Sequence, residues 1–148
     1  MHKLSFTAAL LASFCFCLAA KAADEPKLTC PVSGHPATKD HAAKFKEGQV
    51  YFCCDDCPKA FEANTKKFSA KANVQLVVSG QYKEVKCPFS GGKLNPATAV
   101  QVAGVSVAFC CNNCKAKVTK ANEKARVTMV FNDKAFEKGF EKSGTATK

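Results

Sequence analysis

The sequence predicts an α+β protein made of two small units of one design, each a β-hairpin followed by a helix and a strand. Three observations predict it. VYFCCDDC at Val50–Cys57 returns 57 positions later as VAFCCNNC at Val107–Cys114. TCPVSG at Thr29–Gly34 returns at the same offset as KCPFSG at Lys86–Gly91. ANVQLVV at Ala72–Val78 aligns with ARVTMVF at Ala125–Phe131 once four residues are dropped, about one helical turn. The repeat divides the chain into residues 1–22, a targeting segment, residues 23–80, the first unit, and residues 81–148, the second unit with a C-terminal helix.

Taken in order, Met1-His2-Lys3 is a short basic start and Leu4–Ala20 an apolar run of 17 residues. Ala20-Lys21-Ala22 then supplies the small-x-small pattern of a cleaved signal peptide. A membrane-spanning helix needs about 20 residues; an uncleaved anchor is the alternative reading. Cys15 and Cys17 do not follow the small residue of a lipoprotein box. The expected location is therefore periplasmic or secreted, with no stable membrane span after cleavage.

Within the first unit, Lys44–Lys46 and Gln49–Phe52 flank the turn-like pair Glu47-Gly48. In the second, Val100–Val102 and Val105–Phe109 flank Ala103-Gly104 with β-branched alternation. The third cysteine of each cluster then opens a helix. Asp55 and Asp56 suit its positive end, Pro58 its first turn, and Asn112 and Asn113 are the expected caps in the second copy. Phe61 and Phe68 give the first helix an apolar stripe. Val74–Val78 and Val127–Phe131 read as strands, Asp133–Lys142 as a short amphipathic helix, and Ser143–Lys148 as a tail. The PAT of Pro36–Thr38 returns at Pro96–Thr98, an offset of 60 that implies a compensated three-residue insertion.

Net charge is +10 from 22 basic and 12 acidic residues. Without Lys3 and Lys21 it falls to +8. Arg126 is the sole arginine, and specific readers of nucleic acid and phosphate lean on the two-pronged guanidinium. Dispersed lysine on an exported chain is a solvated surface, so no nucleic-acid partner is expected. No Ser/His/Asp set, glycine-rich phosphate loop or repeated carboxylate pair is present, and no enzymatic activity is expected.

Eight of the ten cysteines fall after residue 22. Each unit has one in a turn and three in a cluster, as C-x22-C-C-x2-C: Cys30, Cys53, Cys54 and Cys57, then Cys87, Cys110, Cys111 and Cys114. A ligand turn, a hairpin and a second ligand cluster opening a helix is the layout of a treble-clef zinc finger, and thiols near a helix N-terminus favour the metal-binding thiolate.

With these residues in view, the chain resembles the TRASH/YHS cysteine modules in tandem. CPFSGGKLNP with VAFCCNNC is also similar to their relatives, the zinc-finger proteins of the large ribosomal subunit. The resemblance implies a role in heavy-metal binding, trafficking or sensing, and a partner protein in metal handling. It implies as ligands Cys30, Cys53 and Cys57, then Cys87, Cys110 and Cys114, with Cys54 and Cys111 as candidate fourth ligands. Ser33 and Ser90 stand where the ribosomal fingers often carry a second turn cysteine. A three-thiolate site with an open position suits Cu+ or an exchangeable ion, a four-thiolate site Zn2+. His35 and His41 do not recur in the second unit and read as surface residues.

Two other readings stay open. Four cysteines per unit in an exported chain also fit a disulfide framework in a non-enzymatic interaction module, with Cys30–Cys57 or Cys30–Cys53 as the long link. The CxxC pairs Cys54/Cys57 and Cys111/Cys114 at helix starts are the feature of thiol–disulfide exchange proteins, although no βαβ pattern surrounds them.

Overall fold

The computed structural model describes residues 27–144; the expected targeting segment, residues 1–22, and the end of the expected tail, residues 145–148, lie outside the described residues. In the first unit, β1 (Thr38–Phe45) and β2 (Gly48–Phe52) form an antiparallel hairpin that leads into α1 (Asp56–Ala63) and α2 (Thr65–Val78). A short β3 (Tyr82–Glu84) follows. The second unit repeats the plan with β4 (Asn95–Val102), β5 (Val105–Phe109), α3 (Asn112–Thr119) and α4 (Glu123–Phe131), and adds α5 (Asp133–Gly139) and β6 (Phe140–Lys142). The chain is thus mixed α and β, with two treble-clef-like units.

The hairpins keep the 57-residue offset throughout. Thr38 pairs with Phe52 and Asn95 with Phe109, and both ladders slip at the same place, between Thr38 and Ala42 and between Asn95 and Val100. Each turn begins with a non-glycine residue at positive φ, Lys46 at 52° and Ala103 at 49°. No insertion separates the two hairpins, so the repeated PAT is a coincidence of composition: Pro36 bridges Thr29, whereas Pro96 lies within β4.

Two expectations are overturned. Val74–Val78 and Val127–Phe131 are helical, at the C-terminal ends of α2 and α4, and the strands that close the units are β3 and β6. The missing turn falls in the second helix of the pair, since α2 has 14 residues and α4 has 9. The expected caps differ too. Neither Asp55 nor Cys111 makes a side-chain cap bond, and Asn112 and Asn113 lie within α3. Capping falls instead to Asn64, Asn122 and Asn132, whose side chains accept from the amides of Lys67, Ala125 and Ala135. The predicted helix over 133–142 is α5 followed by β6.

One core runs through both units. Phe61 packs edge-on against Phe45 at 5.3 Å and against Phe52 at 5.4 Å, and Phe136 stacks on Phe140 at 5.0 Å. α2 lies across α4 and α5, where the fully buried Asn73 donates from Nδ2 to the Phe131 carbonyl at 2.9 Å and to Asp133 at 3.2 Å. Lys46 Nζ reaches Asp133 and Glu137, both at 3.2 Å. β3 pairs with β6, Tyr82 opposite Lys142 and Glu84 opposite Phe140. No described helix is long and apolar enough to cross a membrane.

Candidate metal centres

Each centre begins in a tight turn. Cys30 N–H donates to His35 O at 2.8 Å and Gly34 N–H returns to Cys30 O at 2.9 Å. Cys87 N–H donates to Gly92 O at 2.9 Å and Gly91 N–H to Cys87 O at 2.7 Å. The turns close through glycine in the left-handed region, Gly34 at φ 82° and Gly91 at φ 73°, where a side chain would be strained. They are held from behind by different means. Gln75, on α2, donates to Thr29 O at 3.0 Å and clamps Tyr51 through both N–H, at 2.6 Å, and O, at 2.8 Å. In the second unit, Val85 and Lys86 N–H both donate to Gly139 O, at 2.8 and 3.1 Å. Gly139 has to be glycine, because a Cβ there would lie 2.9 Å from Lys86 O and Pro88 Cα.

The hairpin ends then bring the cluster to the turn. Cys30, Cys53 and Cys57 have their sulfurs within 4.8 Å of one another, and so do Cys87, Cys110 and Cys114. Cys53 and Cys57 are 3.6 Å apart, and Cys110 and Cys114 3.7 Å. A tetrahedral ion with bonds of about 2.3 Å to sulfur holds its thiolates about 3.8 Å apart, so these triads are close enough to hold a metal ion. Burial repeats as well. The first and third cysteines are buried, the middle one is half-buried, and Cys54 and Cys111 are exposed.

Cys54 touches two members of its triad, Cys53 at 3.8 Å and Cys57 at 3.5 Å. Cys111 lies 3.6 Å from Cys110. All eight described cysteines are free thiols. Neither histidine joins a triad. His35 is exposed, and His41 Nδ1 lies 2.8 Å from Asp55.

The thiols are sorted electrostatically. Burial opposes ionisation of Cys30, but the Ser33 hydroxyl and the backbone N–H groups of Ser33, Cys53 and Val32 outweigh it and bring the thiol down to about 6. Cys87 is brought to about 6 in the same way by Ser90, Cys110 and Phe89. Burial pushes Cys114 up to about 12, helped by hydrogen bonds from Cys110 and Cys111, and moves Cys57 upward too. One thiolate per triad is thus stabilised before any ion enters, and an ion would displace protons from the others.

Ser33 and Ser90 supply what the sequence reading had not assigned them. Their hydroxyls lie 3.2 Å from Cys53 and Cys110 and accept from His35 N–H, at 3.2 Å, and Gly92 N–H, at 3.1 Å. The pointer was available, since both stand in the repeated C-P-x-S-G.

The units differ at one carboxyl. Glu84 Oε2 accepts from Ala108 N–H at 2.9 Å, while Oε1 is buried without a hydrogen-bond partner. The matching amide in the first unit, on Tyr51, is met by the neutral Gln75. Burial, only partly offset by the Ala108 bond and reinforced by negative charge at Cys87, raises Glu84 from 4.5 to about 7. The folded state therefore holds this proton more tightly than the unfolded one. The cost of ionising it is absent below about pH 4.5 and complete above about pH 7. Glu84→Gln should raise stability by roughly 1–2 kcal/mol at pH 8, after discounting for partial exposure, and by nothing at pH 4. Melting temperatures of both chains across that range check it; an equal gain at both ends would refute the assignment.

Fold and sulfurs together define a class: a tandem cysteine-rich protein with two candidate thiolate metal centres. Compared with known protein families, curated proteins and solved structures, the chain matches none of them.

Proposed function

We propose that the chain is an exported, non-enzymatic metal-binding protein of the TRASH/YHS type that handles Zn2+ or Cu+ as a buffer, carrier or sensor. One observation carries the proposal. A buried turn thiol, a strand-end thiol and a buried helix-start thiol converge within 4.8 Å, and the same convergence is built twice. The ions would sit on Cys30, Cys53 and Cys57 and on Cys87, Cys110 and Cys114. Export rests on the basic start, apolar run and small-x-small site of residues 1–22.

The test is metal content by mass spectrometry with a free-thiol count after denaturation, on residues 23–148 purified without chelator or reductant. About two ions per chain and eight titratable thiols are expected. No metal and no free thiols would establish a disulfide framework instead. Turnover of a dithiol substrate would move the reading to thiol–disulfide exchange.

A further inference from the structure

Each unit contains two three-sulfur positions, and they overlap. The inner one is Cys30, Cys53 and Cys57. The outer one is Cys53, Cys54 and Cys57, whose sulfurs are separated by 3.8, 3.6 and 3.5 Å. They share Cys53 and Cys57 and differ in one ligand, a fully buried Cys30 against an exposed Cys54. The second unit repeats this. Cys110 and Cys114, 3.7 Å apart, are common to both positions, Cys87 is fully buried and Cys111 exposed, with Cys111 at 3.6 Å from Cys110.

A site built only to hold a structural ion closes its coordination shell with four protein ligands, whereas each inner triad supplies three. Here one thiol of each cluster is left in solvent while touching the inner triad, Cys54 at two sulfurs and Cys111 at one. We propose that the outer position is a transfer station, through which a thiophilic ion moves between the buried triad and an external thiol partner. The proposal rests on the metal-binding reading above and adds the route and the chemistry of the partner.

The step balances without any redox change. The ion leaves Cys30 as it bonds to Cys54, keeping its bonds to Cys53 and Cys57, and the proton lost by Cys54 passes through solvent to the freed Cys30 sulfur. A partner thiol then bonds to the ion as its proton passes through solvent to a departing cysteine sulfur. The ion holds at least two thiolates throughout. A tethered thiol already in contact acts at an effective concentration of millimolar or more, which a free thiol must otherwise supply from solution.

The experiment uses the full chain, loaded anaerobically with Cu(I). Glutathione serves as the thiol shuttle and a coloured Cu(I) chelator as the final acceptor. The double variant Cys54→Ser/Cys111→Ser alters only exposed side chains, so its fold is preserved. It should retain two Cu(I) ions per chain and an affinity within about threefold of the parent, yet release metal about tenfold more slowly when glutathione is present. Equal release rates would overturn the proposal. So would loss of bound Cu(I) from the double variant, which would make Cys54 and Cys111 resident ligands. If the parent chain itself takes up no Cu(I), Zn(II) or other thiophilic ion, it is the metal-binding reading that fails, and the transfer route with it.

Discussion

Cys57→Ser should leave the chain with one bound ion where the parent binds two. Cys57 is buried, and its sulfur lies within 4.8 Å of those of Cys30 and Cys53 and 3.5 Å from that of Cys54. Removing it therefore breaks every three-sulfur set in the first unit. A structural zinc site is worth about 10–16 kcal/mol over its ligands, so one thiolate accounts for about 3 kcal/mol, or over a hundredfold in affinity. Serine keeps the size of the side chain, and the second centre draws its ligands from the turn at Cys87, the end of β5 and the start of α3, so its occupancy should be unchanged. Mass spectrometry under native conditions reads the stoichiometry directly. Two ions on the variant would show that the first centre does not use this residue. Cys30→Ser should be milder, because Cys53, Cys54 and Cys57 still lie together.

Gln75→Leu should cost about 3 kcal/mol of stability and lower Tm by about 10 °C. This side chain is 3 % exposed and satisfies three backbone groups at once, the Tyr51 N–H and carbonyl and the Thr29 carbonyl. Leucine fills the space and leaves all three without their partner. Those groups adjoin the ligands, Thr29 next to Cys30 and Tyr51 two positions before Cys53. Metal affinity of the first centre should therefore fall along with stability. In the second unit the aligned residue, Thr128, is exposed and holds neither the turn nor the strand. Thermal melts with metal titration of each centre check both parts. A Tm within about 2 °C of the parent would mean that water replaces the amide.

The hairpins and the sulfur clusters were legible because their signals are local and repeated. Turn glycine, β-branched alternation and C-x22-C-C-x2-C each lie within a stretch that folds on itself. The helical ends of α2 and α4 were not legible, for a physical reason. Ala72, Asn73, Gln75 and Leu76 are all buried, since α2 is covered by β2 on one side and by α4 and α5 on another. A helix enclosed on several faces loses its 3.6-residue polar stripe, and its Val-rich run then resembles a buried strand. β3 and β6 are three residues each, too short to announce themselves. The capping residues Asn64, Asn122 and Asn132 were readable in principle, each standing one residue before its helix. The expected caps were the polar pairs at the starts of α1 and α3, where neither Asp55 nor Cys111 makes a side-chain cap bond.

The pairing of β3 with β6 sets an order in which the molecule can be assembled. The first unit makes its turn, its hairpin and the Gln75 clamp from residues 29–78 alone. The segment leading to Cys87 has to wait. Its strand partner is 140–142, and the carbonyl that anchors Val85 and Lys86 belongs to Gly139. Contacts between residues this far apart in the chain form late, whether the chain is refolding or growing from its N-terminus. During synthesis Cys30, Cys53 and Cys57 can come together while Cys87 is still on an unanchored turn. Until residue 142 is in place, Cys87, Cys110 and Cys114 thus stay open to oxidants and stray ions after their counterparts in the first unit have closed.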